Sequence, residues 1–181
     1  MSRGAREHRR APDPATPASE GGTGPGRGGR LRIEPARLDD PLAADLIELI
    51  QGEYVLRYGG RDDAPIDAAE FAPPKGLFLL ATLDGEPVGC GGWRSLGGGQ
   101  AEVKRMFTVA AVRGRGFARA LLVELERTAA AAGIEQLVLE TGTKQPEAMA
   151  LYVSAGYDPI DGFGYYAGRP LSRAFGKRLL P

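Results

Sequence analysis

The chain has 181 residues, room for one ordinary domain and hardly two, and a globular composition of 43% apolar and 25% charged side chains. Lys+Arg and Asp+Glu stand at 23 each, so the balance of charge makes no case for nucleic acid or a membrane surface as the main partner. A single cysteine, Cys90, excludes an internal disulfide and suits a reducing compartment, and a single histidine, His8, excludes histidine-based catalysis unless it lies in a folded part.

Residues 1–30 hold 7 Gly, 4 Pro, 6 Arg and almost no large apolar side chain. Such a stretch cannot bury enough surface to offset its ordering entropy, so a disordered tail is expected, followed by one domain over 31–181. The basic start, MSRGAREHRR, has no apolar run behind it, unlike a signal peptide. No stretch reaches the roughly 18 apolar residues of a membrane helix, so the expected location is the cytoplasm. Residues 24–29 spell GxGxxG, but no strand precedes them and no helix follows, so dinucleotide binding is not expected there. Gly26-Arg27-Gly28-Gly29-Arg30 is similar to an RGG-type RNA contact, with a plain soluble leader as the simpler reading.

In chain order, Leu31-Arg32-Ile33-Glu34 reads as a short strand. Asp40 is placed to cap a helix opened by Pro41, with Leu42, Leu46, Ile50 and Tyr54 as its apolar stripe. Residues 58–76 form a loop rich in Gly, Pro and Asp, with a helical turn over 67–71. Its Asp62, Asp63 and Asp67 read as a solvated cluster rather than a metal site. A hairpin follows, with strand 78–83, the turn Asp84-Gly85 and strand 87–93. Within it Phe78, Cys90 and Trp93 read as core.

Strand 101–109 leads into a helix whose inner side is Ala118, Leu121, Leu122, Leu125 and Ala129, with Glu124, Glu126 and Arg127 toward water and Gly133 ending it. A strand over 136–140, a helix over 146–155 ended by Gly156, and a last pair of strands complete the chain. This order predicts an α/β protein, a mixed (α+β) sheet flanked by helices.

The junction at residues 109–118 carries the chemistry. Gly114 and Gly116 let the backbone turn sharply and approach a ligand closely. The free N–H groups of the next helix's first turn, with Arg113 and Arg115, suit an anion such as a pyrophosphate; the plainer reading is a basic surface turn. Arg113-x-x-Gly116-x-Ala118 after Glu102-Val103-Lys104-Arg105-Met106-Phe107-Thr108-Val109 resembles the acetyl-CoA motif of the GNAT superfamily of N-acetyltransferases. Leu139-Glu140-Thr141-Gly142 and Gln145-x-x-Ala148-x-x-Leu151-Tyr152-x-x-x-Gly156-Tyr157 are similar to that family's next strand and helix, and the element order agrees over 31–181. Within the superfamily the chain resembles a bacterial stand-alone member.

The resemblance implies a central, mostly antiparallel sheet that splays open at the cofactor site. It implies a direct, acetyl-CoA-dependent transfer to a primary amine, most simply of a small molecule. Acetylation of a protein N-terminus or lysine is the second enzymatic reading, and a silent acyl-CoA-binding module comes from a different class. Phe107, Thr108 and Val109 would line the pantetheine arm, with the Val109 N–H on the thioester carbonyl. Arg113, Gly114, Arg115, Gly116, Phe117 and Ala118 would hold the pyrophosphate. Gln145 stands in place of the usual Asn and Ala110 in place of a common Pro.

Tyr152 matches the family's general acid for the departing thiolate, with a packing aromatic as the alternative. Glu102 lies where some relatives keep a catalytic base, and would otherwise form a surface ion pair with Lys104 or Arg105. Glu140 reads as a strand-end residue that caps or pairs with Lys144. No metal is implied. Homodimers are common in the family, though no residue here specifies an interface.

Overall fold

The computed structural model describes Met1 and residues 29–179. His8 and residues 24–28 of the two tail motifs lie outside the described residues. Arg30, the last residue of the expected tail, contacts the turn between the second and third strands. The Arg30 N–H donates to Asp84 Oδ1 (2.9 Å) and its carbonyl accepts from the Asp84 N–H (3.2 Å).

Seven strands form one sheet: β1 (Leu31–Ala36), β2 (Gly76–Leu83), β3 (Glu86–Gly97), β4 (Gln100–Thr108), β5 (Gln136–Gly142), β6 (Asp158–Ile160) and β7 (Ser172–Arg178), in the order β1-β2-β3-β4-β5-β7-β6. Every neighbouring pair is antiparallel except β4–β5. That parallel seam runs only from Gln100↔Gln136 to Val103↔Leu139, after which the strands part. The expected mixed, mostly antiparallel sheet with one splayed junction is the observed architecture.

Three helices cover it: α1 (Pro41–Tyr58), α2 (Phe117–Ala131) and α3 (Pro146–Ser154). Asp40 accepts from the Leu42 N–H at 2.9 Å, and Gly59 closes α1 in the left-handed region. The buried side of α1 is Ala43, Leu46, Ile50 and Gln51, and Leu42 is 43% exposed. A stripe read every fourth residue drifts by about 40° per step on a helix of 3.6 residues per turn, which carries Leu42 off the inner side.

Leu121, Leu122, Leu125 and Ala129 of α2 pack with α3 on one sheet face, against Leu79, Trp93, Ala101, Val103, Leu137, Leu139 and Phe175. Ala118 is only half-buried. Glu126, expected in water, is half-buried and receives a hydrogen bond from Lys177 of β7 at 2.7 Å. The opposite face carries α1, Phe71, Phe78 and Cys90. Trp93 donates from Nε1 to Thr128 Oγ1 (3.1 Å), and burial pushes the Cys90 thiol up to about 12, so it sits as an inert core group.

Candidate active site

Where β4 and β5 part, they leave a gap with two lips. The β4 lip continues through a short turn at Ala110–Val112 into residues 113–116 and then α2. Gly116 caps α2 at φ +83, a left-handed conformation open to glycine, and a Cβ there would project into empty space. Among the described residues, no protein acceptor takes the N–H groups of residues 114–119; the first backbone bond back into the turn is Ala120 N to Gly116 O at 3.0 Å. These unpaired donors at a helix N-terminus form a cradle for an anion.

The two arginines of this lip differ. Arg113 is paired with Glu53 of α1, donates from Nε to the Thr108 carbonyl (3.0 Å) and lies over the Phe107 ring (5.5 Å). Its charge is thereby engaged, whereas both arginines had been expected to face an anion. Arg115 lies over the Phe117 ring at 4.9 Å and has no carboxylate partner among the described residues.

The strand edge also differs from expectation in one bond. The Val109 N–H donates to the Val88 carbonyl at 2.9 Å, because this end of β4 is still laddered to β3. It is therefore not free for a thioester. In an antiparallel ladder the bonding direction alternates, so the neighbouring Thr108, opposite Gly89, turns its N–H and C=O away from β3 and toward the gap. A bulge just upstream aims this edge. Between the pairs Gly92↔Lys104 and Cys90↔Phe107, β4 spends one residue more than β3, and Arg105 takes φ +57.

On the β5 lip, Gln145 stands at the start of α3, half-buried and without a capping bond from its side chain. About two turns on, Tyr152 is 7% exposed, its ring 5.8 Å from that of Tyr157 and 6.3 Å from that of Phe175. Burial, with Tyr54 adding to it, pushes its phenol well above the ordinary tyrosine value, so it keeps its proton.

The α1 face of the gap is walled by paired charges. Glu102 is only 3% exposed; Oε1 pairs with Lys104 (2.8 Å) and Oε2 with Arg94 (2.9 Å), which also meets Glu70 (2.5 Å). Its ion pairs are buried rather than on the surface, and Arg105 is not among them. Arg105 instead pairs with Asp62, whose Oδ1 accepts from the Ala64 N–H (3.0 Å) and the Tyr166 hydroxyl (2.5 Å). The expectation of a solvated Asp62 therefore fails: the positive-φ bulge sends Arg105 inward, and a buried guanidinium draws a carboxylate with it.

Glu140 is the first β5 residue past the seam. It does not pair with Lys144. Oε1 lies 3.5 Å from Ser172 Oγ, and Oε2 is buried with no partner among the described residues. Burial pushes its carboxyl up, Lys104 opposes this and Glu102 adds to it. An acidic group left short of partners beside a strand opening is a feature that residue spacing does not announce. A cavity of about 360 Å³ lies between Met149, Ile160, Tyr166, Ser172 and Phe175, and Ser172 links its wall to Glu140.

Comparison with known proteins agrees with this geometry. Residues 43–157 match the model of the "Acetyltransferase (GNAT) family". The IAA acetyltransferase of Azospirillum brasilense is 37% identical over 147 residues, spanning 78% of this chain and 95% of the relative. A crystal structure from Klebsiella pneumoniae, of a protein assigned to the acyl-CoA N-acyltransferases, is 29% identical and superposes with a TM-score of 0.70, covering 83% of this chain and 98% of that one. The PaiA N-acetyltransferase of Thermoplasma acidophilum, solved in complex with coenzyme A, shares the fold at 16% identity (TM-score 0.63; 82% of this chain, 99% of that one).

Proposed function

The chain belongs to the acetyltransferase (GNAT) family and is an acyltransferase, and from that premise we propose that it transfers acetyl from acetyl-CoA directly to a primary amine of a small molecule. The observation that carries the reading is the gap: two parallel strands stop pairing after Val103↔Leu139, and unpaired amides of residues 114–119 stand at its mouth. These groups fit the cofactor. The amides of Gly114, Arg115, Gly116, Phe117 and Ala118 would receive the pyrophosphate with help from the Arg115 charge, while Phe107, Thr108, Val109 and Gln145 would border the pantetheine arm. When bound, acetyl-CoA supplies the activated acyl group and a thiolate as leaving group.

The chain's own residues then have separable tasks. Thr108 offers its N–H where the acyl oxygen becomes negative. Tyr152 holds a proton for the departing sulfur, consistent with a phenol kept neutral by burial. A primary alkylamine has a pKa near ~10 and must lose a proton before it attacks. Glu102 is the proposed base, through a relayed water. The unpartnered oxygen of Glu140, on the same side of the gap, favours that residue as a second reading. Both place carboxylates near the acceptor, which suits a cation. We place the reaction in the cytoplasm, where the free, buried Cys90 suits a reducing environment, and assign it to the domain over 31–181.

Calorimetric titration of the full chain with acetyl-CoA and CoA tests the cofactor site, and thiol release with a panel of small amines, IAA and a lysine peptide tests the acceptor. IAA is included because a relative bears its name. Saturable binding with thiol release on a small amine is expected; turnover only on the peptide would move the acceptor to protein. Tyr152→Phe is expected to lower turnover about 100-fold with CoA affinity unchanged. Undiminished turnover removes the acid from Tyr152, and no CoA binding at all removes the whole reading.

A further inference from the structure

Past Val103 and Leu139 the two lips share no ladder, so something other than the sheet must fix their separation. The last two turns of α1 reach both. On the β4 side, Glu53 pairs with Arg113. The same carboxylate lies 3.7 Å from Arg57 one turn on. Arg57 donates from Nη1 to the Lys144 carbonyl (2.6 Å) and pairs with Glu147 in the first turn of α3. Tyr58 completes the contact on the β5 side. Its hydroxyl accepts from the Lys144 N–H (3.1 Å), and the Lys144 ammonium sits over its ring at 5.7 Å. Gly142 leaves room for this, since a Cβ there would fall 1.9 Å from the Tyr58 hydroxyl.

We propose that Glu53, Arg57 and Tyr58 are positioning residues that tie the two lips of the gap together, with the Arg113 side chain as their anchor on the β4 side rather than a phosphate ligand. The inference rests on the acetyl-transfer reading for its kinetic consequence but not for its geometry. Charge alternates along the tie, Arg113–Glu53–Arg57–Glu147, so each group is satisfied by its neighbours and the chain of contacts is cooperative. It leaves the cradle's attraction for phosphate to the main-chain amides and Arg115. The turn that closes the tie follows directly on Tyr54, whose buried phenol stands among Asp62, Arg105 and Tyr152. Cofactor lips and acceptor wall are thus held by one helix. A displacement of about 1 Å between reacting groups costs up to about 100-fold in rate, which is why a tie at this place matters.

The test uses the full chain with spin labels at Ala111→Cys and Ala150→Cys, exposed positions on the two sides of the gap; Cys90 is buried and does not compete. Electron–electron distance measurements without any ligand should give one narrow distribution, which broadens and lengthens with Glu53→Gln and with Gly142→Ala. In unlabelled protein, Glu53→Gln and Arg113→Gln should each lower kcat/KM for acetyl-CoA about tenfold, with the double variant no worse than the weaker single one. The thermal midpoint should hold within a few degrees. Unchanged distance distributions, or strictly additive losses, overturn the tie. A wild-type chain that binds no CoA overturns the acetyl-transfer reading instead, and the label distances still decide the tie.

Discussion

The two sides of the gap are made of different material. The lip proposed to take the cofactor is main chain: a glycine in the left-handed region, a helix N-terminus and amides without acceptors among the described residues. The wall proposed to face the acceptor is side chain: Glu70, Arg94, Glu102, Lys104, Asp62, Arg105 and Tyr166, nearly all of them satisfied by one another. A main-chain site needs only the right backbone turn, so it tolerates variation in every residue that is not a glycine. A side-chain site is a closed account in which each charge depends on a partner from another element. The first can bind one constant molecule across many proteins; the second can be rebuilt for each acceptor.

The sharpest way to break that contrast is at Asp62. Removing its carboxylate by Asp62→Ala leaves Arg105 buried without a partner, and a loss of about 3–5 kcal/mol in urea unfolding is expected, with acetyl-CoA affinity moving far less. Comparable losses in both would show that the two sides are one structure. The pH dependence has a definite sign. Burial alone would raise the Asp62 carboxyl, but the Tyr166 hydroxyl and Arg105 hold it below its ordinary value. Its contribution is therefore present above the unfolded value near ~3.9 and is lost as pH falls through the lower folded value.

Gly116→Val acts on the other side. The left-handed φ would cost about 1–2 kcal/mol of stability, while the side chain projecting from the cradle should reduce CoA affinity by at least about tenfold. Full affinity in the variant would mean that the pyrophosphate lies elsewhere.

The smallest effect is expected at Glu140. Its carboxyl is raised by burial, so its contribution to stability is full below the unfolded value near ~4.3 and declines as pH rises through the folded one. Glu140→Gln should flatten that slope and gain on the order of 1 kcal/mol near neutral pH. The same variant separates the two candidate bases, since turnover retained in Glu140→Gln and lost in Glu102→Gln assigns the role to Glu102.

The contrast also explains which parts were legible in the sequence. Gly114, Gly116 and the helix behind them are contiguous, and their spacing announces an anion cradle without any knowledge of the rest of the chain. The mostly antiparallel sheet and its splayed seam follow from the family resemblance and are observed, whereas the order of the strands within the sheet comes from the structure alone. The pairing of Arg105 with Asp62 was not legible, because it depends on a bulge that no residue pattern marks. Glu53 is separated from Arg113 by 60 positions, and Tyr58 from Lys144 by 86. The Val109 bond failed for a local reason: counting along a strand does not say where its ladder to β3 ends.

The parallel seam has a consequence for how the chain acquires its activity. β2, β3 and β4 are successive antiparallel strands joined by tight turns at Asp84-Gly85 and Gly98-Gly99, so their contacts are local and cheap in loop entropy. β5 meets β4 only after the whole of α2 has crossed the sheet, and β7 meets β5 only after α3. Non-local pairings of this kind form late, after the entropy of the intervening chain has been lost. The hairpin meander is thus expected to assemble while the second lip is still absent. A nascent or partly refolded chain can therefore own its complete glycine turn and yet have no second lip beside it.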